Sequence, residues 1–208
     1  MLQFITHPSE RFSVVDEVKM VIAGGCRWVQ LRMKDASDNE VRRVAEELIP
    51  LCQESGVILV LDDRVELTME LRVHGVHLGK EDMPVEEARE YLGPHAIIGA
   101  TANTAADILA LRGLDVDYVG LGPFRHTTTK RRLAPLLGLD GYRSVMAEIR
   151  REGVELPVVA IGGITLDDVD ELMSTGVNGI AMSGAIINAD DPEAYTARVI
   201  ERLDSYRK

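Results

Sequence analysis

The amino-acid pattern predicts an α/β protein, a single (β/α)8 TIM barrel over residues 1–208, and three observations lead there. Short apolar or β-branched runs recur eight times along the 208 residues. Segments whose apolar residues repeat every 3.6 positions lie between them. Polar side chains gather at the C-terminal ends of the runs, where a barrel of this kind keeps its chemistry.

In order, the strand-like runs are Gln3–Thr6, Trp28–Arg32, Val57–Leu61, Gly75–Leu78, Ala96–Ala100, Tyr118–Leu121, Pro157–Ile161 and Gly179–Met182. Runs so short and apolar, with helices between, suit a parallel sheet covered on its outer face. Helical stripes are formed by Val14, Val18, Val21 and Ile22, by Val41, Val44, Ala45 and Leu48, and by Tyr142, Val145, Met146 and Ile149. Ser37 and Glu40 make a capping box before the second helix. Gly24 and Gly25 stop the first, and Gly176 the seventh. Eight units in 208 residues put the chain near the lower size limit of roughly 200 for such a barrel. No Gly-x-Gly-x-x-Gly follows the first strand, which weakens an open dinucleotide-binding sheet. No linker or low-complexity run interrupts the single domain.

Hydrophobic residues make up 46% and charged residues 27% of the chain, with a formal net charge of −11. That balance argues against coating nucleic acid or an anionic membrane by bulk charge. Cys26 and Cys52 lack metal-ligand spacing and read as small buried hydrophobes in a reducing compartment. No run approaches the ~18 apolar residues of a membrane span, so a soluble cytoplasmic protein is expected. The oligomeric state, homo-oligomer included, is not fixed by the sequence.

Against this acidic background, Leu121–Leu139 carries Arg125, His126, Lys130, Arg131 and Arg132 and no acidic residue. Hydroxyls and backbone N–H groups beside fixed cations suit phosphate, so Thr127, Thr128, Thr129 and Lys130 are read as an anion site. Arg131 and Arg132 are read as solvated rim charges. After strands seven and eight, Gly162–Gly163 and Ser183–Gly184 occupy the loops where barrels often hold a phosphate. Parity places Gln30 and Arg32 on one strand face, with Lys34 continuing it. Asp63 and Asp82 end neighbouring strands, where two carboxylates could share one magnesium ion with substrate phosphates. The competing reading pairs these aspartates with Arg64 and Lys80. His74, His77 and Trp28 are expected to pack.

The ordered motifs Val-Gln-Leu-Arg-Met-Lys at 29–34, Asp-Asp-Arg-Val-Glu-Leu at 62–67 and Gly-Val-His-Leu-Gly-Lys-Glu-Asp at 75–82 resemble those of the thiamine phosphate synthases. So do Asp-Tyr-Val-Gly-Leu-Gly-Pro at 117–123, Thr-Thr-Thr-Lys at 127–130 and Val-Ala-Ile-Gly-Gly-Ile at 159–164. The resemblance implies a transferase that joins a pyrimidine methyl diphosphate to a thiazole phosphate, giving thiamine phosphate and diphosphate with magnesium assistance. It implies that Gln30, Arg32 and Lys34 contact the diphosphate and pyrimidine, completed by Thr101 and Lys130. Asp63 and Asp82 would be the magnesium ligands. Thr127, Thr129, Gly163 and Ser183–Gly184 would hold the thiazole phosphate. Arg32, Lys34 and Lys130 would stabilise the departing anion.

The chain departs from the family pattern at Asp62 for Asn, Thr101 for Ser and Lys80 for Gln. It departs again at Ser183–Gly184 for an aliphatic residue and Ser, and at Arg125–His126 for Phe-Pro. Asp62 is read as a third member of the metal's ligand shell or a pyrimidine contact. Two alternatives stand beside the transferase. One is a thiazole tautomerase of the same superfamily, in which His126 would move a proton and Asp63, Asp82 and Lys130 would have no role. The other is a non-catalytic barrel that binds thiazole or thiamine phosphate.

Overall fold

A computed structural model describes residues 1–7, 9–126 and 135–206. Its strands are β1 (Leu2–Ile5), β2 (Trp28–Leu31), β3 (Ile58–Asp62), β4 (Gly75–Leu78), β5 (Ile97–Ala102), β6 (Tyr118–Leu121), β7 (Val158–Ile161) and β8 (Gly179–Met182). Each falls within two residues of its expected position. They close in sequence order into one all-parallel barrel. The seam pairs Leu2 with Ile180 and Phe4 with Met182.

Helices follow the strands. They are α1 (Val14–Ala23), α2 (Asp38–Glu54), α3 (Val65–Leu71), α4 (Val85–Leu92), α5 (Ala105–Ala110), α6 (Gly138–Arg151), α7 (Val169–Ser174), α8 (Gly184–Ile187) and α9 (Pro192–Asp204). A 3-10 turn, Leu166–Asp168, leads into α7. The Ser37 box at α2 is closed in both directions: Glu40 N donates to Ser37 Oγ, and Ser37 N donates to Glu40 Oε2 at 2.8 Å. Thr104 and Asp107 repeat it at α5.

Alternation along each strand separates two cores. Phe4, Val29, Leu31, Leu59, Leu61, Val119 and Leu121 pack outward against helix stripes that include Val41, Leu48, Tyr142 and Ile149. Truncating one such Leu or Ile to Ala costs about 2–5 kcal/mol. Ile5, Trp28, Tyr118, Val159 and Ala181 form a separate cluster inside the barrel. Trp28 packs edge-on against Tyr118, with centroids 4.6 Å apart. Cys26 and Cys52 are buried free thiols, as expected.

The barrel interior holds polar residues as well. Gln3 Nε2 donates to the Tyr118 hydroxyl at 3.1 Å; that hydroxyl meets His77 Nδ1 at 3.0 Å, and His77 Nε2 meets Thr101 Oγ1 at 3.0 Å. Two glycines make the space: a Cβ on Gly99 would fall 2.1 Å from Tyr118 Cζ, and one on Gly120 3.0 Å from His77 Cε1. His74 is satisfied separately, its Nδ1 accepting from Leu59 N at 3.1 Å. The buried stripe of the first helix also takes in a charged residue. Glu17 on α1 is 0% exposed.

Candidate active site

At the C-terminal mouth of the barrel lies a cavity of about 800 Å³ whose wall includes Arg32, Lys34, Asp82, Thr101, Gly163 and Ser183. It joins residues from both ends of the chain, as the barrel rule requires.

On one side, the ends of β2, β3 and β4 bring charges together. Gln30 Nε2 donates to Asp62 Oδ1 at 2.6 Å. Asp62 Oδ2 lies 3.6 Å from Arg32 Nε and 3.9 Å from Lys34 Nζ, and it accepts no hydrogen bond. Lys34 Nζ forms its close pair with Asp63 Oδ2, at 2.7 Å. Arg32 is fixed at its backbone by Thr6, whose Oγ1 accepts from Arg32 N at 2.9 Å and donates to Arg32 O at 3.2 Å. Gln30 and Asp62 are 2% and 6% exposed and are not among the residues lining the cavity. They lie behind Arg32 and Lys34 and support them.

Burial, and then the Asp63 charge, push the Asp62 carboxyl up to about 7 against the pull of Arg32 and Lys34. Burial works on Asp63 in the same direction, but hydrogen bonds from Asp82 and Lys34 outweigh it and hold Asp63 below its ordinary value. Asp82 is raised by burial and by the hydrogen bond it shares with Asp63. Partial burial opposes the Lys34 ammonium, yet Asp63, Asp62 and Asp82 keep its pKa above the usual lysine value. The Asp63 backbone is left-handed at φ 66°, a conformation that costs a non-glycine residue of order 1 kcal/mol and concentrates at functional sites.

The pairing of these aspartates with their sequence neighbours does not occur. Arg64 Nε turns to Asp38 Oδ1 at 3.0 Å and Lys80 Nζ to Asp107 Oδ2 at 2.6 Å. Helix residues beyond the strand ends reach those cations first. Asp63 and Asp82 instead share a hydrogen bond, Asp63 pairs with Lys34, and Asp82 Oδ2 also accepts from Gly79 N at 2.6 Å. Among the described residues no group of three or more His, Cys, Asp or Glu side chains is arranged to hold a metal. A cation here would take the two carboxylates Asp63 and Asp82 and complete its shell from ligand and water oxygens. That division suits magnesium, which seldom has an all-protein cage.

Across the cavity, Gly162 and Gly163 adopt φ of 105° and 68°, and the chain after β6 lies directly on them. A Cβ on Gly162 would meet Pro123 Cα at 2.7 Å, and one on Gly163 would meet Arg125 Cγ at 2.5 Å. Ser183 and Gly184 line the same side, and the buried Ser183 Oγ has no partner among the described residues. Thr101 stands between the two sides, held by His77. His126 also lines the cavity. Thr127, Thr128, Thr129, Lys130, Arg131 and Arg132 lie outside the described residues.

Sequence reasoning missed His7, Asn103 and Thr165 in the wall. The parity that selected Gln30, Arg32 and Lys34 also selects His7 from Ile5 and Asn103 from Thr101. It missed Arg125 as a partner of Asp168, 43 residues away, for which no local signal exists.

The family model for thiamine monophosphate synthase matches residues 2–186. The chain belongs to that family. A thiamine-phosphate synthase of Bacteroides fragilis strain ATCC 25285 is 54% identical over 199 residues, covering 96% of this chain and 98% of its own. Another from Bacteroides thetaiotaomicron is 52% identical, covering 96% and 95%. Among solved structures, a thiamine phosphate pyrophosphorylase from Pyrococcus furiosus superposes with a TM-score of 0.85 at 33% identity, covering 98% of this chain and 95% of its own.

Proposed function

We propose that the protein transfers the pyrimidine methyl group of 4-amino-5-hydroxymethyl-2-methylpyrimidine diphosphate to the ring nitrogen of a thiazole phosphate, releasing diphosphate and thiamine phosphate. The observation that carries this reading is one cavity with two unlike sides. Lys34 and Asp82 line one, with Asp63 behind them joined to both, and the Gly162–Gly163 turn and the Ser183 Oγ, without a partner among the described residues, stand at the other.

In this reading the bond from the methylene carbon to diphosphate oxygen breaks, and a bond from the thiazole nitrogen to the same carbon forms. The departing oxygen leaves as the anion and no proton need move, so the absence of a strong general base from the reading is no obstacle. Arg32, Lys34 and Lys130 offset the growing negative charge on diphosphate. Asp63 and Asp82 hold magnesium, which when bound neutralises diphosphate oxygens. Thr101 touches the pyrimidine diphosphate side; Gln30 and Asp62 keep Arg32 and Lys34 in place. Thr127, Thr128 and Thr129 with Gly163, Ser183 and Gly184 hold the thiazole phosphate. The thiazole tautomerase reading leaves the Asp63–Asp82–Lys34 cluster without a task, and so does a binding-only barrel. Both partners are small phosphorylated molecules. Among the described residues no helix is long and apolar enough to cross a membrane.

Incubating the purified protein with both substrates, with and without magnesium, tests the proposal. Thiamine phosphate and diphosphate should appear in equal amounts and only with both substrates present. Isomerisation of a thiazole phosphate alone, with no diphosphate released, would replace this reading with the tautomerase.

A further inference from the structure

Arg125 does not line the cavity, yet it ties together two of the loops that do. Its backbone N donates to Gly162 O at 3.0 Å, one step beyond Phe124 N to Ile161 O at 2.9 Å. The β6 strand thus continues along the glycine turn after β7. Its aliphatic stem fills the space over Gly163. Its guanidinium donates to Gly163 O at 3.2 Å and forks onto Asp168, with Nη1 to Oδ2 at 2.8 Å and Nη2 to Oδ1 at 2.6 Å. The Phe124 ring lies 4.7 Å beneath it. Asp168 in turn accepts from Thr165 N and Thr165 Oγ1, both at 2.8 Å.

The consequence is that Gly162, Gly163 and Thr165 are each held by Arg125 or Asp168, and these three line the cavity together with Ile164 between them. A glycine pair with positive φ has wide conformational freedom when unsupported. A planar fork onto a carboxylate fixes orientation as well as distance. Because Asp168 neutralises Arg125, the pair adds little net charge to the cavity.

We propose that Arg125, acting through Asp168, is a positioning residue for the thiazole phosphate: it sets the Gly162–Thr165 turn in register for that phosphate. This rests on the function proposed above for the same cavity. Its role is geometric and not that of a direct phosphate ligand.

The test compares Arg125→Ala, Arg125→Lys, Asp168→Ala and the double alanine variant in the full-length protein. Arg125→Ala and Asp168→Ala should each raise KM for the thiazole phosphate roughly tenfold or more, the scale of a lost charged hydrogen-bonding pair, with KM for the pyrimidine diphosphate unchanged. The double variant should be no worse than either single one, as expected for residues acting as a unit. Arg125→Lys, which cannot fork, should recover only part of the loss. Amide hydrogen exchange supplies a readout independent of turnover: exchange at residues 162–165 should rise in both single variants and not at β2–β4. A normal KM in Asp168→Ala with a raised one in Arg125→Ala would make Arg125 a direct ligand and overturn the proposal. Equal increases in both KM values, with a general rise in exchange, would reduce it to a stability effect and overturn it too. If the wild-type protein forms no thiamine phosphate, the functional reading fails. The clamp is then judged by exchange alone, and unchanged exchange at 162–165 refutes it.

Discussion

Replacing Glu17 by Gln should stabilise the protein above pH 7 and leave it nearly unchanged at pH 5. The Glu17 side chain is 0% exposed on α1. Its Oε2 accepts from His7 N at 3.2 Å, while Oε1 has no partner. Burial, only partly offset by that amide, moves the carboxyl from 4.5 to about 7. His7 itself is pushed toward its neutral form by burial and then by Arg32, so it supplies no compensating cation. A carboxyl whose pKa is raised on folding binds its proton more tightly in the native state. Its contribution is therefore most favourable below the unfolded value and is lost as pH rises through the native one. The interval from 4.5 to about 7 corresponds to roughly 3 kcal/mol in full. Between pH 5 and pH 8, allowing for local relaxation, about 2 kcal/mol should be lost.

Glutamine keeps the shape and an acceptor for His7 N but cannot ionise. Urea unfolding of both proteins at pH 5 and pH 8 isolates the effect as a difference of differences. Glu17→Gln should gain about 2 kcal/mol over wild type at pH 8 and lie within about 1 kcal/mol of it at pH 5. Identical pH dependence in the two proteins, or a less stable Glu17→Gln at pH 8, would show that ionised Glu17 is accommodated and would refute the reasoning.

Lys130→Ala, at a position outside the described residues, should lower turnover roughly 10²–10³-fold with an unchanged unfolding midpoint; wild-type turnover would remove Lys130 from the departing-diphosphate role. Asp63→Asn should abolish the response of activity to added magnesium, read by titrating the ion at saturating substrates, and a wild-type titration curve would place the ion elsewhere. Gly99→Ala would drive a methyl to 2.1 Å from Tyr118 Cζ and should cost about 1–3 kcal/mol in unfolding free energy. A neutral result would mean that Tyr118 and His77 can shift together.

Much of the barrel was legible because its two periods are local properties. Strand parity alone placed Gln30, Arg32 and Lys34 in one line, and their contacts with Asp62 and Asp63 follow that line. Tyr142, Val145, Met146 and Ile149 are all buried, as the 3.6-residue stripe requires. Partnerships across the barrel were not legible. Arg64 and Asp63 are adjacent in sequence, yet Arg64 reaches Asp38 because successive side chains at a strand end diverge. Glu17 is an intermediate case. It lies three positions after Val14 and four before Val21, squarely within the buried stripe, but its residue type argued for the surface.

The charge balance at the ends of β2–β4 also bears on why this side of the cavity would take a metal. Arg32 and Lys34 face Asp62, Asp63 and Asp82, so with all five ionised the cluster is formally negative by one charge. A diphosphate approaching it would meet carboxylates as well as cations. Without a further positive charge the cluster relieves itself internally, with Asp82 hydrogen-bonded to Asp63 and both Asp62 and Asp82 raised in pKa by burial and by the neighbouring carboxyl. A divalent cation on Asp63 and Asp82 would reverse the balance, so that the charges of Arg32 and Lys34 could act on the ligand. The buried Asp62 lies 3.6 Å from Arg32 Nε and 3.9 Å from Lys34 Nζ and so keeps those two side chains near one another before any ligand arrives. In a protein of net charge −11, an anion site here would therefore rest on local pairing, and a cation on the two carboxylates would convert them from a barrier into a support.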